Sequence, residues 1–283
     1  MKKGHDVYSL YKEHLTNFGT SIKVDITNES EISTIITKLR PEAIIHTAAY
    51  TDVDACETNR DLAWKINAEA TRHIAIASAS INAHVICVST DYVFDGEKGL
   101  YTEEDRTNSI SYYGYTKLKG EEFIKECATK WCIVRPSVIY GWSVYKQNFA
   151  TWLINSINEK KAVKVLKDQY VSPTLNTNLA EMLLEIAERR ITGVLHTAGK
   201  TRISRYEYAL SLAEVFNMNK ELIKPAMMYE MSWKAKRPRD SSLNVSKASS
   251  ILDSKPLELN QALKTMKKEK IGTRARKNML VHS

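Results

Sequence analysis

The stretch HVICVSTDYVFDG, His84 to Gly96, followed after a polar loop by YYGYTKLKGE, Tyr112 to Glu121, decides how this chain folds. His84 to Val88 is a short run of β-branched and apolar residues, the composition of a strand buried on both faces. In an open parallel sheet, ligands meet the carboxyl ends of the strands, so Ser89, Thr90 and Asp91 are expected to face a cleft. Tyr113 and Lys117 are spaced i,i+4, which on a helix puts them on one face. A phenol ordinarily titrates near pH ~10, and an ammonium beside it favours the phenolate. Thr90, Tyr113 and Lys117 therefore suit proton delivery to a carbonyl oxygen. Taken alone, a Tyr-x-x-x-Lys pair equally describes two solvated side chains.

Working outward, strand and helix patterns alternate. DVYSL (Asp6–Leu10) and EAIIHTA (Glu42–Ala48) read as strands flanking a helix. In that helix Ile32, Ile35, Ile36 and Leu39 follow the i, i+3, i+4, i+7 rule, and Asn28 with Glu31 makes its capping pair. Helices around Leu62–Ser80 and Tyr113–Cys127 alternate with strands at His84–Val88 and Cys132–Arg135. That rhythm predicts an α/β fold, a Rossmann-like doubly wound parallel sheet. After Gly141, helices at Phe149–Asn158, Leu179–Arg189 and one capped by Ser204 with Glu207 would build a smaller α/β lobe. The expected division is residues 1–145 for the sheet domain, incomplete at its start, 146–265 mostly for an interleaved substrate lobe, and 266–283 for a basic tail.

STDYVFDG, YTEED (Tyr101–Asp105) and YGYTKLKGE in combination resemble the dTDP-4-dehydrorhamnose reductase family, within the extended short-chain dehydrogenase/reductase group. The likeness continues through HTAAYTDVDACE (His46–Glu57), KINAEA around Asn67, DQYVSPT (Asp168–Thr174), HTAGKTRISRYEYA (His196–Ala209) and KRPRDSSLNVSKA (Lys236–Ala248). The resemblance implies reduction of a 4-keto nucleotide sugar, dTDP-4-dehydrorhamnose to dTDP-L-rhamnose, with NADPH or NADH as the hydride source. It assigns catalysis to Thr90, Tyr113 and Lys117, with Lys117 holding the nicotinamide ribose and depressing the pKa of Tyr113. Cofactor binding falls to Lys12, Asp25, Ile26, Ala48, Ala49, Tyr50, Thr51 and Asn67, together with Tyr113 and Lys117. Substrate binding falls to Thr90, Asp91, Tyr92, Val138 and Arg239. Plainer readings stand beside several of these. Asp25 also reads as a turn aspartate, Lys12 as a surface lysine instead of a 2′-phosphate ligand, and Tyr92 as packing. Arg237 and Arg239 could clamp a diphosphate, or be rim charges. His46 reads as a satisfied core histidine.

The sequence departs from the family pattern in two places. Those reductases open with a strand and a G-x-x-G-x-x-G loop that cradles pyrophosphate at a helix N-terminus. Here Gly4 to Leu10 resembles the end of the first helix entering the second strand, and only Gly4 and Gly19 precede Gly96. Either the natural product starts upstream of Met1, or this is a truncated form that has lost cofactor binding. A central gap in the sheet would expose two strand edges. Rhamnose-forming reductases also often carry Trp where Val138 stands, which leaves the sugar open. A reading of another class is a non-catalytic regulatory subunit like the methionine adenosyltransferase β-subunit, which shares STDYVFDG-like and RPRD-like strings. Its partner would be a methionine adenosyltransferase-like protein; a homodimer is the other assembly. Nucleotide-sugar dehydratases need an acid beside the Thr-Asp pair, where this chain has Tyr92.

Composition narrows the remaining classes. The formal charge is +8, but from Lys264 onward seven Lys/Arg face one acid, Glu269, so the excess lies in the tail and not over a folded face. That excludes nucleic acid as the expected partner. No run approaches the ~20 apolar residues of a membrane span, and no apolar signal core opens the chain. Cys56, Cys87, Cys127 and Cys132 lack C-x-x-C spacing and read as reduced structural thiols, in keeping with a cytoplasmic enzyme. His, Cys and carboxylates nowhere cluster at zinc spacing, so no metal is expected.

Overall fold

The computed structural model describes residues 4–15, 18–143 and 145–280, with side chains of the last helix described through Glu269. The first half runs Tyr8–Tyr11 (β1), Thr20–Lys23 (β2), Glu29–Leu39 (α1), Ala43–His46 (β3), Val53–Thr58 (α2) and Arg60–Trp64 (α3). A π-helical turn, Lys65–Glu69, then leads into Ala70–Ser80 (α4), His84–Val88 (β4), Tyr112–Cys127 (α5) and Lys130–Arg135 (β5). The second half runs Ser137–Tyr140 (β6), Phe149–Asn158 (α6), Val163–Leu166 (β7), Tyr170–Val171 (β8), Pro173–Leu175 (β9), Asn176–Glu188 (α7) and Gly193–His196 (β10). It closes with Ile203–Ser204 (β11), Arg205–Val215 (α8), Ile223–Ala226 (β12), Ser246–Ile251 (α9) and Leu259–Leu280 (α10).

The main sheet is parallel, in the order β10-β5-β4-β3. Its alternation places Val85, Cys87 and Ile133 against Ala75 of α4 and Ile124 of α5. Ile86, Cys132 and Val134 face Leu179, Met182 and Ile186 of α7 on the opposite side. Both faces are therefore covered by helices, the doubly wound arrangement. Each buried aliphatic side chain contributes about 1.5–3 kcal/mol. α7 and β10 return to this sheet from late in the chain, so the second half is threaded through the first. The rest of that half packs α6, α8 and α10 with β7 into a separate cluster containing Leu153, Tyr208, Leu212 and Leu263.

β1 and β2 form a two-stranded parallel pair of their own, and no ladder joins it to the main sheet among the described residues. Val24, just after β2, and Ile44 of β3 nevertheless pack on the same α1 residues, Ile32 and Ile36. The two sheets thus share a covering helix while β1 and β3 each keep an open edge.

Local chemistry explains the element boundaries. Asn28 caps α1 by accepting from the Glu31 N–H at 3.3 Å, and Ser204 with Glu207 forms a capping box on α8. The expected single helix over Leu62–Ser80 is instead α3, the π turn and α4; a π turn inserts a residue that apolar periodicity does not register. The basic stretch from Lys264 continues the backbone of α10, which spans the expected lobe–tail boundary. The side chains of Arg274, Arg276 and Lys277 lie outside those described. No described helix is long and apolar enough to cross a membrane.

The sheet and α5 are locked by a buried ion pair. Arg135, ending β5, donates from Nε to Glu121 Oε1 at 2.9 Å and from Nη2 to Oε2 at 2.6 Å. Both side chains are almost fully buried. Replacing one partner strands a buried charge, which costs about 3–5 kcal/mol. Glu121→Ala is expected to lower the unfolding free energy by that amount in urea denaturation, and Glu121→Gln by less.

Candidate active site

Three elements converge at the carboxyl end of β4. The strand ends at Val88, and Ser89 donates to Glu121 at 2.5 Å, which fixes the chain just before Thr90. Thr90 Oγ1 then accepts from the Tyr92 N–H at 3.2 Å, capping a short 3-10 turn over Asp91–Val93. Opposite it, the first turn of α5 comes in very close: a Cβ at Gly114 would stand 2.1 Å from the Tyr92 carbonyl oxygen. Only glycine allows that approach. It sets the Tyr113 ring edge-on to Tyr92, 5.9 Å between centroids, with the Thr90 hydroxyl near enough to pull the phenol pKa down.

Thr90 in turn donates to Asp91 Oδ1 at 3.1 Å, while its oxygen accepts from the Tyr92 amide. Asp91 is buried, and its other oxygen accepts from Ser137 at 2.8 Å and Ser241 at 2.6 Å. Burial raises its carboxyl pKa above the ordinary range, against the opposing pull of these hydroxyls. Tyr113, Thr90 and Asp91 thus stand together, buried, at the end of β4.

Lys117 departs from expectation. It donates to the Val88 carbonyl at 2.8 Å, while burial pushes the Tyr113 phenol well above its ordinary value despite the Thr90 bond. The anticipated depression of the Tyr113 pKa is therefore corrected: desolvation raises it, and the ammonium is anchored on the strand instead.

A second cluster forms a cavity of about 200 Å³ lined by Lys12, Asp25, Ile26, Ala48, Ala49 and Ile66, among others. It brings together five of the positions expected to touch the cofactor. Lys12 and Asp25 pair with each other at 2.8 Å, and Asp25 also accepts from the Thr27 N–H at 3.0 Å. Asn67, on the π turn, is fully buried and spent inside the protein. It accepts from the Tyr50 N–H at 2.8 Å and donates to the Tyr50 carbonyl and to Thr116 Oγ1, both at 3.0 Å. Its direct cofactor contact is thus replaced by a supporting one, holding the segment that follows Ala49 against α5. Thr51 Oγ1 accepts from Lys146 Nζ.

On the other side, Tyr92 is buried, and burial raises its phenol pKa against the pull of the Arg205 guanidinium. Val138 sits at a β-bulge with φ +40°, a strained conformation for a β-branched residue, and packs against the second lobe's core. Arg239 is exposed, whereas Arg237 is held by Asp54 at 2.8 Å. His46 is the core histidine expected, bonded to Thr71 at 3.1 Å, with burial lowering its pKa to about 3. Glu121, Asp54, Glu57 and Arg205 were not singled out from the sequence. Glu121 stands i+4 from Lys117, and that spacing is the signal that could have found it.

A parallel α/β sheet with a buried Tyr–Thr–Asp line at a strand end and a lysine one helical turn on defines a Rossmann-like protein of the reductase type. More narrowly, the chain belongs to the family described as the RmlD substrate binding domain, whose model matches residues 1–271. It is 31% identical over 257 residues to dTDP-4-dehydrorhamnose reductase of Aggregatibacter actinomycetemcomitans, covering 87% of each chain. A crystal structure of dTDP-4-dehydrorhamnose reductase from Bacillus anthracis in complex with NADP superposes with a TM-score of 0.83 at 32% identity, covering 91% of this chain and 93% of that one. The chain is also 30% identical to methionine adenosyltransferase 2 subunit beta of Bos taurus, covering 80% of this chain and 69% of that one.

The Lys12–Asp25 pair gives the first cavity a pH signature. The hydrogen bond from Lys12 is the main cause holding the Asp25 pKa near its value of about 2. A carboxylate so lowered stabilises the fold above its unfolded pKa and loses that contribution as pH falls through the folded one. In Lys12→Met the Asp25 carboxyl, followed by ¹³C NMR, is expected to titrate closer to the ordinary ~3.9. An unchanged midpoint would show that Thr27 alone sets it.

Proposed function

We propose that this chain is an NAD(P)H-dependent reductase of a 4-keto nucleotide sugar, converting dTDP-4-dehydrorhamnose to dTDP-L-rhamnose in the cytoplasm. The observation that carries the reading is the buried Tyr113–Thr90–Asp91 line at the end of β4, in a chain of this family.

The residues present fit the cofactor at its two ends. Lys12, Asp25 and Ile26 offer a cation, an acceptor and an apolar wall for an adenosine and its 2′-phosphate, at one side of the cavity that Ala48 and Ala49 complete. Tyr50 and Thr51 continue that wall, supported by Asn67. Tyr113 and Lys117 stand where a ribose and its reactive ring would meet the strand end. Between them lie the open edges of β1 and β3, where the described residues provide no glycine turn. When bound, the dihydronicotinamide supplies the hydride that reduces C4 of the sugar.

The chain's own residues manage the proton. Tyr113 carries it and releases it to the C4 oxygen as that oxygen gains charge, so the ketone becomes an alcohol. Thr90 donates to the same oxygen and orients it, turning from Asp91 to do so. Asp91 stays held at its other oxygen by Ser137 and Ser241. Lys117 places a positive charge behind the phenolate that forms. Tyr92 and Val138 border the sugar, and Arg239, exposed and unpaired by any described carboxylate, is available to its diphosphate.

Tyr113→Phe keeps the ring but removes the proton, so NADPH oxidation with dTDP-4-dehydrorhamnose is expected to fall by about 10²–10⁴ while the melting temperature holds. An acid must be protonated to act, and burial raises this one, so parent turnover should show no basic limb from Tyr113 between about pH 6 and 9. The similarity to an adenosyltransferase subunit supports one rival. If the parent oxidises no NADPH with any 4-keto sugar nucleotide and instead binds a methionine adenosyltransferase tightly, the reductase reading is replaced by that of a binding subunit.

A further inference from the structure

The helix α2 is only six residues long, yet two of its acids reach in different directions to bind two parts of the site. Asp54 accepts the backbone N–H groups of Lys234 at 3.0 Å and Ala235 at 2.8 Å. It also takes a two-pronged grip from Arg237, Nη1 to Oδ1 at 3.1 Å and Nη2 to Oδ2 at 2.8 Å. Arg237 lies over the Trp233 ring at 5.0 Å, so the whole 233–237 segment is folded around this one carboxylate. One helical turn on, Glu57 accepts the Tyr112 N–H at 2.8 Å and pairs with Arg60 at 3.0 Å. The Tyr112 N–H belongs to the first turn of α5, whose amides have no partner within the helix. Between the two acids Cys56 is fully buried, and its thiol donates to the Tyr50 carbonyl at 3.5 Å.

We infer that Asp54 and Glu57 are positioning residues that couple the 233–237 segment of the second lobe to the first turn of α5, and so to Tyr113. Neither acid touches the reacting atoms. Asp54 sets where the late segment lies beside Tyr92, and Glu57 sets the start of the helix that carries the proton donor; a six-residue helix is too short to flex between them. A sugar nucleotide that engages the 233–239 loop would thereby tighten the seat of Tyr113. This last step rests on the reductase reading; the mechanical link does not.

Hydrogen exchange on the purified full chain tests the link without cofactor or substrate. Asp54→Asn keeps the shape of the side chain and weakens the Arg237 grip, and the far-ultraviolet spectrum and melting curve confirm that it folds. Exchange is expected to rise in a peptide over residues 230–240 and also over residues 110–117, which Asp54 does not contact. A rise of roughly fivefold in the second peptide is the size of one lost helix cap. A rise confined to 230–240 overturns the proposal. Glu57→Gln keeps an acceptor for the Tyr112 N–H and should exchange like the parent, whereas Glu57→Leu should raise exchange at 110–117; equal behaviour of the two also overturns it. In turnover assays Asp54→Asn should raise the KM for the sugar nucleotide and Glu57→Leu should mainly lower kcat. If no variant and no parent turns over while the exchange pattern holds, the reductase reading fails and the link stands.

Discussion

The bond between Glu121 and Arg135 sets the distances on which everything else in the site depends. It joins the middle of α5 to the end of β5, and the same carboxylate takes the Ser89 hydroxyl at the end of β4. Two strand ends and one helix are thereby referred to a single buried group. Thr90 and Asp91 leave the strand from this point, while Lys117 stands one turn back along the same helix and reaches the Val88 carbonyl. Such a pair adds little net stability compared with a well-packed apolar replacement, but it tolerates one geometry only. Its use here is alignment. A second constraint, the bare backbone of Gly114 and Gly120, lets α5 lie close enough for that alignment to matter: a Cβ on Gly120 would come within 2.6 Å of the Asn67 carbonyl.

Burial then determines the proton chemistry. Tyr113, Asp91 and Tyr92 all lie in a region where removing water disfavours their charged forms, and each is shifted upward for that reason first. A Tyr–Lys pair judged in solvent would give a phenolate near neutrality; the same pair in this setting gives a neutral phenol. That is the appropriate resting state for a group that must donate in the direction of reduction.

Much of this was legible in the sequence, and for identifiable reasons. β4, α5 and α1 follow from apolar periodicity and capping residues, which act locally. The grouping of Lys12, Asp25, Ile26, Ala48 and Ala49 is what the family resemblance implied, and one cavity is lined by all five. What could not be read is pairing between distant side chains. Asp54 with Arg237 and Glu121 with Arg135 depend on tertiary placement; the i+4 spacing from Lys117 puts Glu121 on the right helix face but does not name its partner. Lys12 with Asp25 is the same kind of case, since each reads as a free ligand until the other is seen beside it. The π turn escaped because an inserted residue leaves the apolar pattern on either side intact, although it is the turn that aims Asn67 inward.

The divided sheet shows how far such internal alignment can stand apart from a continuous ladder. The β1–β2 pair and β3 are joined through α1 rather than by a ladder between them, with Ile32 and Ile36 in one cluster with Val24, just after β2, and Ile44 of β3. Side-chain burial is non-directional and can hold that spacing, but it does not satisfy edge N–H and C=O groups, which are left to water. Tyr8, Leu10 and Ile45 remain exposed on β1 and β3 for the same reason. The Lys12–Asp25 cavity is lined by residues of β1 and residues just after β3, so the two halves of the site are placed by different forces. The reacting half is fixed by directional, buried bonds from Glu121 and Asn67. The outer half rests on one helix and one partly exposed ion pair, so it is the half that a bound ligand has the most room to rearrange.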